Sequence, residues 1–243
     1  MKSWKEKIMK SLNPKVLANL LRNELGLDLS SPIDIFSIAL SIDKLTLVIY
    51  PMGSNISGIC YKSNNSNLIA INSNMSIGRQ RFSLAHELYH LFYDDSSYTV
   101  SPMSTRDNEL NEQRANEFAL EFLVPTVALI KKVKKLDRPI TCDEVIHLEQ
   151  YFGISHKAML KMFVELGYLR QTDMDMMLSG VRSKAIRLGY EKTLYEPSSD
   201  SDNIKVLGHY IKLVHNLYNN QILSKNEFNN LMLEAFRDDL VIN

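Results

Sequence analysis

The chain has 243 residues, 45% of them hydrophobic and 23% charged, with 28 basic residues balanced by 28 acidic ones. Those values fit a globular protein and exclude a disordered tail protein, a collagen-like fibre and a disulfide scaffold. Cut after Pro125, the two parts carry 12 basic against 13 acidic residues and 16 against 15, so bulk charge recruits neither nucleic acid nor an anionic membrane.

Residues 1–10 are basic, but Asn13, Lys15, Asn19, Arg22 and Asn23 interrupt the apolar pattern after them, so no secretory signal is expected. Val16, Leu17, Leu20, Leu21 and Leu25 recur instead at helical spacing, closed by Gly26. Ser31 as N-cap and Pro32 at the first helical position begin a second helix, with Ile35, Ile38 and Ala39 on one face. The period then changes. Residues 45–50 are β-branched and aromatic, and residues 56–62 and 68–72 flank Ser63-Asn64-Asn65-Ser66-Asn67, giving a small sheet with a hairpin. The most apolar neighbourhood, residues 33–50, is broken by Asp34, Asp43 and Lys44 and falls short of the ~20 residues a membrane span needs. Cys60 and Cys142 show no C-x-x-C spacing, so two free thiols in a reducing, cytoplasmic compartment are expected.

From Ser76 the pattern is helical almost to the end. One helix carries Phe82, Leu84, Ala85, Leu88, Leu91 and Phe92; residues 94–105 read as a polar loop; a second helix covers residues 107–123 and stops at Pro125. Thr141 with Glu144, and Ser224 with Glu227, have capping-box spacing. Residues 143–151, the turn Phe152-Gly153-Ile154-Ser155 and residues 156–166 resemble a helix-turn-helix. Only His156, Lys157 and Lys161 could meet phosphates there, opposed by Glu165, which argues for packing or partner docking against direct nucleic-acid binding. Lys131-Lys132-Val133-Lys134-Lys135 reads as a solvated face. Residues 196–202 read as a linker to a terminal helical pair, residues 203–219 and 225–238.

The informative stretch is His86-Glu87-Leu88-Tyr89-His90, an H-E-x-x-H on a helical segment. Positions i and i+4 of a helix lie ~40° apart in projection, so His86 and His90 can aim their imidazoles at one zinc ion. Glu87 falls ~60° from His90, near enough to reach a metal-bound water and too displaced to be a ligand, which suits a catalytic base. A surface histidine pair or hydrogen-bonded core histidines would show the same pattern, so a third ligand decides. The second helix offers Glu109, Glu112, Glu117 and Glu121. Its stripe of Ala115, Ala119, Phe122 and Leu123 has Glu112 within ~40° of its centre, Glu109 at the flank, and Glu117 and Glu121 on the opposite side. A carboxylate on a buried stripe needs a positive partner, and Zn²⁺ supplies one. Asn116, one turn on, can accept from the outer nitrogen of a ligating histidine, or can be a polar position without a role.

His86-Glu87-Leu88-Tyr89-His90-Leu91, followed by Glu112-x-x-Ala115-Asn116-x-Phe118-Ala119-x-x-Phe122-Leu123-Val124-Pro125, resembles the ImmA/IrrE family of bacterial and phage zinc metallopeptidases. The resemblance covers roughly residues 15–170 and is strongest over residues 82–125. It implies an α+β, mostly α fold with a zincin-like core, here placed over residues 1–125 with a small antiparallel or mixed sheet; a helix-turn-helix-like segment over 126–170 follows, and residues 171–243, which match no family pattern, read as a helical C-terminal region of unknown role. It also implies a cytosolic peptidase with Zn²⁺ held by His86, His90 and Glu112, Glu87 as base, and a transcriptional repressor as protein substrate.

The expected function is therefore a zinc endopeptidase that cleaves a regulatory protein by metal-activated water with a glutamate base. An oxyanion donor is left open among Tyr89, Tyr93, Tyr98, His147, Tyr151 and His156. Residues 56–62 are the candidate edge strand for pairing with an extended substrate, or a plain structural strand. The alternatives are a non-catalytic zinc-binding regulator acting through partner or DNA binding by its helical C-terminal half, and a hydrolase of a small amide or ester.

Overall fold

The computed structural model describes residues 11–103, 110–133, 139–200 and 202–242. Helix α1 (Pro14–Glu24) begins at Asn13, whose side chain accepts from Lys15 N at 2.8 Å, and the chain leaves it through Gly26 at φ +71°. Its buried face is Leu17, Ala18, Leu21 and Arg22, while Val16 and Leu20 face outward. Arg22, a break in the sequence pattern, is fully buried and donates to the carbonyls of Asp28, Phe122 and Ser31.

That anchoring corrects the expected start of the second helix. Helix α2 (Ile35–Ser41) begins after Asp34, not at Ser31 and Pro32. Asp28 Oδ1 accepts from the backbone of Ser30 and Ser31, Arg22 takes the Ser31 carbonyl, and Arg81 Nη2 takes that of Ile33. Carbonyls held by two arginines are withdrawn from a first helical turn.

Strands β1 (Leu45–Tyr50), β2 (Ile56–Lys62) and β3 (Asn67–Asn72) lie where their β-branched runs place them. β2 and β3 form the expected hairpin, and β1 runs parallel to β3. Two further strands were not expected. β4 (Tyr98–Pro102) lies inside the presumed polar loop and pairs antiparallel with β2; β5 (Lys205–Gly208) lies where a helix from Asn203 was expected and pairs antiparallel with β1. The order is β4-β2-β3-β1-β5, so β2 is interior and the candidate edge strand is corrected to β4. Each added strand is too short and polar to announce itself, and its pairing energy comes from a sheet assembled elsewhere in sequence.

Helix α3 (Ile77–Tyr93) packs on β2 and β3 and is backed by α4 (Leu110–Leu123), which α1 covers in turn. The apolar core runs from Leu17 and Leu21 through Leu47, Ile69 and Ile71 to Leu84, Leu88, Phe118 and Phe122. After α5 (Thr126–Val133), α6 (Cys142–Phe152) opens with the expected Thr141–Glu144 capping box and ends at Gly153 in the left-handed region, leading into α7 (His156–Glu165). A Cβ at Gly78 would meet Ser155 N at 2.9 Å, so α3 abuts that turn closely. On α7 the exposed positions are Lys157, Lys161 and Glu165, and the helix is otherwise mostly buried. The exposed stripe carries two lysines and one glutamate, so its charge offers little to phosphates.

Short helices α8 (Gln171–Met177) and α9 (Val181–Arg187) lead to a strap on α3: Ile77 N donates to Glu196 O at 2.8 Å, and Gln80 Nε2 donates to Ser198 Oγ at 3.1 Å. The presumed linker is thus docked. Helices α10 (His209–Asn219) and α11 (Lys225–Glu234) enclose a small second core of Val214, Phe228 and Met232, with the Ser224–Glu227 capping box as expected. The fold is α+β and mostly α, with eleven α-helices among the described residues. Among the described residues no helix is long and apolar enough to cross a membrane.

Candidate metal centre

Helix α3 buries both faces, so the motif residues lie inside: His86, Glu87 and His90 are 5%, 0% and 1% exposed. Glu112, in the first turn of α4, meets them. His86 Nε2 is 3.1 Å from Glu112 Oε2, His90 Nε2 is 3.2 Å from Glu112 Oε1, and the two Nε2 atoms are 3.1 Å apart. The outer nitrogens are fixed by acceptors: His86 Nδ1 faces Asn116 Oδ1 at 3.0 Å and His90 Nδ1 faces Asp94 Oδ2 at 2.8 Å. Each Nδ1 therefore carries the hydrogen, and each Nε2 turns a lone pair inward. Two lone pairs and a carboxylate converge, an arrangement that repels itself unless a cation sits between them. Ligand atoms around a tetrahedral zinc with bonds of about 2.0–2.1 Å are about 3.3 Å apart, so the triangle fits that ion. His86, His90 and Glu112 are the residues that could hold a metal among those described.

Glu87 points beside this triangle, and neither of its carboxylate oxygens has a hydrogen-bond partner; Glu112 Oε2 also lacks one. Burial pushes the Glu87 carboxyl well above its ordinary range, against the pull of His86. Burial also acts to raise Glu112, but with Nε2 protonated in place of a bound metal the two imidazoles outweigh it and hold that carboxyl down to about 2. Space for Glu87 comes from β2: a Cβ at Gly58 would stand 2.5 Å from Glu87 Oε1. Ser101, which pairs with Gly58 from β4, is 1% exposed.

The structure thus brings His86, His90, Glu112 and Asn116 together as read from the sequence, with Glu87 alongside. Glu109 lies outside the described residues. Glu117 is exposed, as expected. The outward placement of Glu121 is corrected: it is 3% exposed, accepts from Asn19 Nδ2, and caps α5 through Thr126 N and Thr126 Oγ1. Its side of α4 is polar in projection yet covered by α1. Asp94 was missed, although its i+4 offset from His90 was a readable signal.

Five of the six candidate oxyanion donors have other contacts. Tyr89 OH accepts from Arg114, Tyr93 OH donates to Leu17 O, His147 pairs with Tyr190, Tyr151 lies under Lys132, and His156 is buried against Glu149. Tyr98 is exposed on β4, three residues from Ser101 and thus on the opposite sheet face from the Gly58–Ser101 pair beside Glu87.

Comparison with curated proteins finds no match to the chain. Residues 44–163 match the family model for the IrrE N-terminal-like domain, peptidase M78, a stretch that runs from β1 into α7 and includes His86, His90 and Glu112. Residues 44–163 thus form a domain of the ImmA/IrrE family, a family of the metallopeptidase type.

Proposed function

We propose that the protein is a zinc-dependent endopeptidase whose substrate is a regulatory protein, a helix-turn-helix repressor being the favoured case. The observation that carries the catalytic part is the set of buried, unpartnered acceptors: two imidazole lone pairs and the Glu112 carboxylate converge, and beside them stands a Glu87 carboxylate with no hydrogen bond. His86, His90 and Glu112 would hold zinc, which supplies a Lewis acid that polarises a carbonyl and acidifies water.

The chain's own residues do the rest. Glu87, held by burial in a high-pKa state, accepts a proton from the attacking water and returns it to the leaving nitrogen. Gly58 leaves room for that carboxylate to turn. Among the described residues β4 pairs on one side only, so its free edge can align an extended peptide across the end of α3. The repressor as substrate rests on the family resemblance, and the weakly charged exposed stripe of α7 supports a protein partner over DNA.

Purified protein should contain stoichiometric zinc and cut a cognate repressor supplied with it. Glu87→Gln should keep its zinc and lose cleavage by about 10²–10⁴-fold. Regulation that survives Glu87→Gln undiminished would overturn the enzyme reading in favour of a binding regulator.

A further inference from the structure

The motif helix ends over the sheet, and one strand residue reaches it there. On β2 the residues facing α3 alternate: Gly58 lies against Glu87, Cys60 is next, and Lys62 comes last. Lys62 Nζ donates to His90 O at 2.9 Å and to Asp94 O at 2.6 Å. The first carbonyl belongs to the last turn of α3 and the second to the extended residue that follows it, at the end of a helix where carbonyls lack partners and the dipole favours a cation. Asp94 in turn is tied at both carboxylate oxygens: Oδ2 faces His90 Nδ1 at 2.8 Å and Oδ1 accepts from Ser96 N at 3.0 Å. The Asp94 side chain is 4% exposed.

We propose that Lys62 is a positioning residue for His90, holding the main chain of the last helical turn so that Asp94 keeps the imidazole in its inward-facing tautomer. The inference rests on the reading of His90 as a metal ligand. One strand then serves the two functions of the motif separately. Its glycine makes room for the base, and its lysine, four residues on, steadies the ligand. His86 is held independently, from α4 through Asn116.

That independence supplies the test. In metal-free protein, the Nδ1–H resonances of His86 and His90 are followed by imidazole ¹H–¹⁵N spectroscopy in the wild type, Lys62→Met, Lys62→Arg and Asp94→Asn. Zinc release into excess chelator is then timed for each. Lys62→Met should broaden or lose the His90 signal, leave that of His86 in place, and release zinc about 10-fold faster. Lys62→Arg, which keeps a cation under the carbonyls, should restore most of the difference. Asp94→Asn leaves the Lys62 contacts to the main chain intact and should also speed release.

An unchanged His90 signal with unchanged release in Lys62→Met would overturn the proposal. So would loss of both histidine signals together, which would mean general loosening. Wild-type protein that binds no zinc would overturn the metal reading, while selective loss of the His90 signal would still support the positioning role of Lys62.

Discussion

Two buried clusters in this molecule pair histidine with glutamate, and they differ in how their polar atoms are spent. At the end of α3, His86, His90, Glu112 and Glu87 leave three carboxylate oxygens without hydrogen bonds and turn two nitrogen lone pairs toward each other. Between α6 and α7, Glu149 and His156 leave nothing over. His156 Nδ1 faces Glu149 Oε2 at 2.5 Å, His156 Nε2 faces Met177 O at 3.1 Å, and Tyr195 OH donates to Glu149 Oε1 at 2.5 Å while accepting from Gln150. Glu87 and Glu149 are both 0% exposed, so burial alone does not separate them. Completed pairing marks a structural network; withheld pairing marks a place for a ligand.

The same substitution at the two glutamates should therefore act with opposite sign. Glu149→Gln replaces one of two acceptor oxygens that face His156 and Tyr195 with an amide nitrogen, leaves a buried hydrogen bond unmade, and should cost about 1–3 kcal/mol in chemical unfolding while zinc affinity stays as it was. Glu87→Gln should cost nothing in metal-free protein. A carboxyl raised by burial opposes folding once pH exceeds its ordinary value, and the penalty grows until the raised pKa is reached. The variant should then lose that pH dependence between mildly acid and neutral conditions and be at least as stable as wild type at pH 7. Equal destabilisation by the two would break the comparison.

A smaller effect sharpens it on α4, where Glu112 and Glu121 are both buried. Glu121→Ala removes the cap of α5 and should lower stability by about 1–2 kcal/mol without moving zinc affinity. Glu112→Ala should do the reverse, with zinc titration as the readout. The smallest difference is chemical. Cys60, pushed up to about 12 by its burial and the nearby Glu87 charge, stays a thiol at pH 8 and should resist alkylation in folded protein, whereas the half-buried Cys142 should label first.

The site was more legible in the sequence than the sheet. His86, Glu87, His90, Glu112 and Asn116 sit on two long helices whose apolar period reports which way each residue faces. Projection failed at Glu121 because it assumes one buried side, and α4 has two. It was silent on Lys62, whose role depends on the strand lying under the end of α3. β4 and β5 were misread because four or five residues with mixed polarity become a strand only when a neighbour offers a free edge. Arg22 looked like a surface break and proved to be a buried tie, since three carbonyls from distant segments collect around it.

The pairing of β1 with β5 joins Thr46 to Gly208 and Ile49 to Lys205, partners more than 150 residues apart. During synthesis His86, His90 and Glu112 have left the ribosome long before the strand that covers β1. Until then β1 stands as a second open edge of the sheet, opposite β4. Contacts of such range are slow to form, and an open edge invites pairing with other chains. A chain cut before Lys205 would keep that edge permanently, so its yield as monomer, more than its ligand set, would suffer.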